Sequence, residues 1–254
     1  MNANKLIYIL FLIIFIFSCR NKDDEIAKVN SNIQILKKYR YSPKDKFNPI
    51  ELSEKTANLI VDLTNNDNCK IENFTGLELN TEIKNKVEIY SFGFDGGGTG
   101  RFNLYPIIQW ADNNRLYAFN FSKIINYKFD KIIDLKNDLF LLIGYDDGSL
   151  YQSVAYIIEI KNDKINLDYK AFVNRPLLVF NNGEFNYNEK TKVLDFVFNK
   201  GYHDDLNTVF YSDEYGKFKN DTVSAKKLKR MIENEYFING EFHLKFNNNF
   251  FTKQ

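Results

Sequence analysis

Residues 154–173, VAYIIEIKNDKINLDYKAFV, decide the fold class. Apolar and polar side chains alternate on both sides of Asn162–Asp163, a pair of residues typical of tight turns. The stretch therefore predicts two antiparallel strands, Val154–Lys161 and Lys164–Val173, joined as a hairpin.

The same period of two recurs along the chain from Val87 onward. Phe102–Trp110 alternates, and its apolar face carries Trp110, which we expect to be buried. Pro106 interrupts that pattern and predicts a sheet edge or a bulge. Leu139–Ile143 is apolar throughout, which predicts a strand buried on both faces. Asn239–Gly240 predicts a two-residue hairpin turn.

Helical periodicity precedes the strands. Ile26–Leu36 has one apolar stripe, and a second helix is predicted to start at Asn48–Pro49. A short C-terminal helix is predicted over Asp221–Glu235. The sequence thus predicts a mainly β protein with a helical segment, 26–86, and a β-rich domain, 87–254. An antiparallel meander or sandwich is favoured, with a propeller-like array as the alternative.

The first 18 residues have the organisation of a signal peptide. A short start with one lysine precedes twelve apolar residues, Leu6–Phe17, which are too few to span a bilayer. The end of this run and the next two residues, Ile16-Phe17-Ser18-Cys19, resemble the lipobox of bacterial lipoproteins. That resemblance implies cleavage before Cys19 and acylation of its thiol with palmitate-type chains, so that a lipid anchors the protein to a membrane.

Charged residues follow the cysteine, and we interpret residues 19–25 as the lipidated cysteine and a tether. Arg20–Glu25 resembles the surface-export signal of Bacteroidota lipoproteins, and a solvated spacer is the alternative reading. Ile89–Phe92, Leu142–Tyr145 and Tyr151–Ser153 are similar to segments of uncharacterised envelope proteins from that background. The resemblance implies a cell-envelope location at the outer membrane and supplies no activity.

Charge and cysteine content exclude several classes of function. Removal of residues 1–18 leaves 254 − 18 = 236 residues with 33 basic (34 − 1, for Lys5) and 33 acidic side chains. A neutral chain disfavours nucleic acid as a partner, because backbone binding needs a basic excess. Cys69 is predicted to be an unpaired thiol. Two cysteines and two histidines lack zinc-ligand spacing, and no cofactor is predicted.

Candidate chemistry is confined to the loops. His203-Asp204-Asp205 is the candidate for catalysis, and Asp146-Asp147 is the candidate for a metal. The glycine-rich segment 94–100 lacks the ending of a phosphate-binding loop and predicts a hairpin connection.

A lipid-anchored, non-enzymatic protein that binds a protein partner is the favoured function, since interfaces need shape and a few anchors rather than motifs. A hydrolase using loop carboxylates is one alternative. A carbohydrate-binding accessory protein is the other.

Overall fold

The computed structural model describes residues 22–40, 47–83, 86–96, 102–124, 127–146, 152–172, 175–181, 183–198, 236–238 and 241–253. Two helices and fourteen strands in three antiparallel sheets lie within these ranges, which confirms the mainly β class with N-terminal helices. The predicted C-terminal helix, 221–235, lies outside them.

The first helix, α1 (Lys22–Lys38), buries Val29, Ile33 and Leu36 on one face, as its periodicity predicts. It begins earlier than the apolar pattern, within the segment 19–25 interpreted as a tether. Asp23, Asp24 and Glu25 occupy its first turn, where negative charge is stabilised by the helix dipole. These acidic residues are therefore part of the folded protein.

The second helix, α2 (Pro49–Asp67), has the predicted start. The Asn48 side chain caps it by accepting a hydrogen bond from the Glu51 amide at 3.2 Å. It ends at Asn68, which adopts a left-handed conformation with φ of 52°. The two helices run antiparallel, and a 3-10 turn, Ile71–Asn73, follows.

The first sheet contains four consecutive strands in the order β1-β2-β3-β4: β1 (Glu78–Ile83), β2 (Val87–Asp95), β3 (Phe102–Asp112) and β4 (Arg115–Asn120). β1 falls in the segment 26–86 that was expected to be helical. It is an edge strand with largely exposed side chains, so its sequence lacks apolar alternation. β3 pairs with β4 from Ile107 onward, so Pro106 lies just outside this pairing. Such an edge-like position tolerates proline, which has no backbone N–H to donate.

The second sheet contains β5 (Lys128–Lys136), β6 (Leu139–Tyr145), β7 (Gln152–Lys161), β8 (Lys164–Asn166) and β9 (Leu177–Asn181). Residues 139–143 are buried on both faces, as predicted. The prediction of one strand over 164–173 is wrong beyond Asn166. The Oδ1 atom of Asn166 accepts a hydrogen bond from the Asp168 amide at 3.1 Å, and this bond stabilises a turn that directs the chain away from β7. β9 pairs with the other end of β7 instead.

The third sheet contains β10 (Gly183–Asn188), β11 (Val193–Phe198), β12 (Phe237–Ile238), β13 (Glu241–Asn247) and β14 (Phe250–Lys253). Ile238 pairs with Glu241, so β12 and β13 form the predicted hairpin with a two-residue connection. Along β13 exposed and buried residues alternate strictly, and its outer face is polar.

The layers are stacked in the order helices, first sheet, second sheet, third sheet. Separate apolar cores fill the three interfaces, and each inner sheet contributes alternate residues of its strands to two of them. Aromatic rings fill much of the outermost core, where Phe180 meets Phe196 edge-to-face at 5.0 Å. The aromatic content therefore supplies core packing. Within the described residues, no helix is both long and apolar enough to cross a bilayer.

Candidate functional site: an acidic pocket at one end of the sheets

A pocket of about 240 Å³, here named the end pocket, opens where the second and third sheets meet. It lies at the end of the sheets where β5 and β7 begin and β6 stops. Three strands of the second sheet and one of the third contribute its polar walls: Asp130, Lys131, Tyr145, Asp146, Gln152, Ser153 and Glu184. Among the described residues, the pocket lining thus combines three carboxylates with one ammonium group.

Asp130 enters the end pocket from a β-bulge. Phe129 pairs with Gly144 and Lys131 with Ile143, so Asp130 is the additional residue between two regular pairs of β5 and β6. A bulge redirects the side chain of its extra residue and bends the strand. This irregularity places a carboxylate at the mouth of the pocket.

The environment of Asp130 makes its ionised form less favourable than that of a carboxyl in water. Burial against the surrounding protein is the main cause that raises the pKa of this carboxyl, and Glu184 adds to it. Lys131, Lys128 and the backbone amide of Asp130 act in the opposite direction without cancelling it. The carboxyl keeps its contact with solvent, so it remains accessible to a ligand.

Two glycines allow the strands to close around the end pocket. A Cβ at Gly144 would lie 2.4 Å from the Lys128 carbonyl oxygen, and one at Gly183 would lie 2.5 Å from the Val197 carbonyl oxygen. The Ser153 hydroxyl donates to the Gly183 carbonyl and joins the second sheet to the third. Any larger residue at either glycine would push apart the backbones that carry the pocket.

Gln152 forms a buried polar wall beside the pocket, with only 5% of its surface exposed. Its Oε1 accepts from the Tyr127 hydroxyl at 2.7 Å, while its Nε2 has no hydrogen-bond partner among the described residues. The Asp146 amide donates to the Gln152 carbonyl at 2.8 Å and closes the β6–β7 connection. That bond fixes the position of Asp146.

The candidates from sequence have different outcomes. Asp146 lines the end pocket. Asp147, His203, Asp204, Asp205 and the lipidation site Cys19 lie outside the described residues. Cys69 is a free, buried thiol, as its predicted lack of a partner requires. Within the described part of the chain, no three His, Cys, Asp or Glu side chains lie close enough to hold a metal ion.

Sequence reasoning missed Asp130 and Glu184. Both occupy ordinary polar positions of alternating strands, and nothing in the local pattern marks the bulge or the approach of the third sheet. Tyr145, a residue 37% exposed at the rim of the pocket, lies beyond the strand predicted over Leu139–Ile143, and the sequence assigns it no role. The pocket therefore depends on tertiary structure.

His243 lies apart from the end pocket, on the outer face of the third sheet. Its Nδ1 is 2.6 Å from Asp195 Oδ1, and its Nε2 is 3.4 Å from Glu241 Oε2. The hydrogen bond with Asp195 is the main cause that raises the pKa of His243, and Glu241 adds to it. This arrangement is a surface ion cluster that stabilises the imidazolium form.

A buried polar network lies at the opposite end of the first sheet. Gln109, 5% exposed, accepts from the Ile71 amide at 2.8 Å and donates to Glu88 Oε2 at 2.6 Å. The Tyr90 hydroxyl donates to the same Glu88 oxygen at 3.1 Å. The network connects the 3-10 turn after the helices to the two central strands of the sheet, β2 and β3, which is a structural role.

Comparison of the chain with known proteins finds no matching family, no matching curated protein and no matching solved structure.

Proposed function

We propose that the protein is a lipid-anchored lipoprotein of the cell envelope with a binding role, in which the end pocket receives a basic group of a protein partner. Acylated Cys19 would hold the β domain at the outer membrane. The observation that carries the binding role is the convergence of Asp130, Asp146 and Glu184, from two different sheets, on one pocket.

The charge of the pocket favours a cation. Three carboxylates face one ammonium group, Lys131, so a guanidinium or ammonium group of a partner gains charge-assisted hydrogen bonds there. The exposed ring of Tyr145 at the rim offers a face on which a guanidinium can stack.

The size of the pocket favours one side chain. Pockets that enclose small molecules have volumes of about 300–1,000 Å³, whereas the end pocket has about 240 Å³. An arginine inserted into a fully desolvated pocket is a common anchor of protein interfaces. We therefore favour an arginine or lysine of a partner over an enclosed substrate.

A binding experiment tests this role. N-acetyl-arginine amide should bind in calorimetric or NMR titrations at low salt, and the neutral isostere N-acetyl-citrulline amide should bind at least about tenfold more weakly, because it lacks the charge. Glu184→Gln should weaken binding of the arginine probe, whereas Glu189→Gln, at the exposed turn after the same strand, should leave it unchanged. Equal binding of both probes would refute the cationic ligand.

The anchoring role has a separate test. Intact-mass measurement of the native protein extracted from membranes should show an acylated chain that begins at Cys19. Cys19→Ala should move the protein into the soluble fraction. Recovery of an uncleaved, unacylated N-terminus would refute the lipoprotein assignment. The binding role of the end pocket would still be tested by the ligand titrations.

A hydrolase is the second candidate, and the raised pKa of Asp130 beside Glu184 favours it. A carboxyl whose pKa is raised keeps its proton to a higher pH and is better suited to act as a general acid, while a neighbouring carboxylate acts as base or nucleophile. Screening with glycoside and ester substrates decides between the two. Turnover that is lost in Asp130→Asn and kept in Glu189→Gln would replace the binding role with hydrolysis.

A further inference from the structure

The start of α1 and the β3–β4 turn lie at the same end of the protein. Lys22 Nζ donates to the Asp67 carbonyl at the end of α2, at 3.0 Å. Two residues earlier, Asn65 accepts from the Ala118 amide at 2.7 Å and from Arg115 Nη2 at 2.9 Å. The first described residue of the chain is therefore adjacent to the β3–β4 turn.

The turns of the other sheets lie at that end too. Trp110 Nε1 donates to the Asn162 carbonyl in the β7–β8 turn at 2.8 Å. Asn137, in the β5–β6 turn, donates to Asn249 Oδ1, in the β13–β14 turn, at 3.0 Å. The β10–β11 turn lies at the same end, because the Phe246 amide near the end of β13 donates to the Lys192 carbonyl. We name the surface formed by residues 112–115, 136–138, 161–164, 189–192 and 248–249 the turn face.

The end pocket lies at the opposite end of the same strands. β7 begins at Gln152 in the pocket wall and ends at Lys161 in the turn face. Ten residues of strand at about 3.3 Å each separate the two by about 30 Å. The pocket and the start of α1 thus face in opposite directions.

We propose that the turn face lies against the bilayer that carries the lipid on Cys19, and that the end pocket faces away from that membrane. This orientation rests on the proposed lipidation. Only Cys19, Arg20 and Asn21 separate the lipid from α1, and three residues span at most about 10 Å. With so short a connection, the end of the domain that contains Lys22 stays at the headgroup level.

Charge on the turn face supports an anionic bilayer as the contacting surface. Basic residues outnumber acidic ones in the turns: Arg115, Lys136, Lys161, Lys164, Lys190 and Lys192 against Asp112, Asp138, Asp163 and Glu189. Basic residues near an anionic membrane are attracted to its surface. The neighbouring first turn of α1 contains Asp23, Asp24 and Glu25, which offset the excess of basic residues in the turns, so the short connection rather than charge determines the orientation.

The orientation places the candidate binding site where a partner outside the membrane can reach it. A pocket at the turn face would compete with headgroups for access, whereas the end pocket stands about 30 Å above them. Because the lipid holds every molecule in the plane of the membrane with the same orientation, the end pocket of each one faces away from the bilayer.

Site-specific labelling tests the orientation. The lipidated protein, with Cys69→Ala to remove the buried thiol, is reconstituted in phosphatidylethanolamine–phosphatidylglycerol vesicles after its acylation has been verified by intact mass. A fluorophore is attached at Asn114→Cys in the turn face or at Arg40→Cys, which follows α1 at the opposite end; both positions are exposed. Lipids with a nitroxide headgroup should quench the label at position 114 at least about threefold more than the label at position 40, since quenching decays over about 10 Å and α1 alone is about 25 Å long. Equal or reversed quenching in acylated protein would refute the orientation and leave the lipoprotein assignment intact.

A longer connection provides the matched control. Twenty glycine and serine residues inserted between Asn21 and Lys22 extend the reach of the tether to about 25 Å on average. The difference between the two labels should then fall to less than half. If it persists, the three-residue connection is not what orients the domain, and the proposal fails; if no acyl chain is found in the native protein, the proposed lipoprotein and this orientation both fail.

Discussion

Gln109→Leu tests the buried network between the helices and the first sheet. The substitution leaves the Ile71 amide buried without an acceptor, which costs about 1–3 kcal/mol. It also removes one charge-assisted donor from Glu88, which keeps the Tyr90 hydroxyl and partial contact with solvent, so this loss adds only about 1 kcal/mol. We expect the free energy of unfolding to fall by about 2–4 kcal/mol.

Urea unfolding of the Cys19→Ala protein measures this change. The midpoint should fall while the slope stays constant, because the surface exposed on unfolding is the same. Gln34→Leu, an exposed glutamine of α1, is the matched control and should change stability by less than about 0.5 kcal/mol. Gln109→Glu keeps an acceptor for Ile71 but places a second carboxylate beside Glu88, so its cost should rise from about pH 5 to about pH 8. A loss below about 0.5 kcal/mol for Gln109→Leu would refute the structural role of the network.

Three further outcomes are expected. The pKa of His243 in the folded protein lies above its usual value of 6.5. The stabilisation that the protonated ring provides is therefore present below about pH 6.5 and is lost as the pH rises through the folded-state pKa. His243→Gln should lower the unfolding midpoint at about pH 5 and leave it unchanged at about pH 9. Gly144→Ala should cost about 1–3 kcal/mol in denaturant titration, because its Cβ meets the Lys128 carbonyl, and an unchanged midpoint would contradict that close approach. Leu141→Ala, fully buried in β6, should cost about 2–5 kcal/mol, whereas Val197→Ala, 56% exposed, should cost less than about 0.5 kcal/mol; similar losses for the two would contradict the assigned core.

Periodicity in the sequence predicts the strands whose two faces differ in burial. β6 is recognisable because both of its faces are buried, and the β12–β13 hairpin because Asn239–Gly240 separates an apolar segment from an alternating one. β1 is not recognisable, since an exposed edge strand has no apolar face to detect. The strand expected to continue to Val173 stops at Asn166, where the hydrogen bond from the Asp168 amide to the Asn166 side chain outweighs the alternation that follows.

The end pocket is less predictable than the fold. Asp146 is identifiable as a loop carboxylate, but Asp130 gains its position from a bulge and Glu184 from the packing of the third sheet. Both the bulge and the packing of the third sheet depend on residues that are distant in the sequence. Local patterns therefore predict which residues form strands and leave open which side chains meet across sheets.

Each sheet of this protein is assembled mainly from strands that follow one another along the chain. Most strand pairs, such as β2 with β3 and β6 with β7, are joined by a single turn or loop, so the relative contact order is low for a β protein. The free energy of closing long loops, which slows most β topologies, is largely avoided here. A chain that emerges N-terminus first can complete the helices and the first sheet before the third sheet exists, and each finished layer then offers an apolar surface on which the next one condenses.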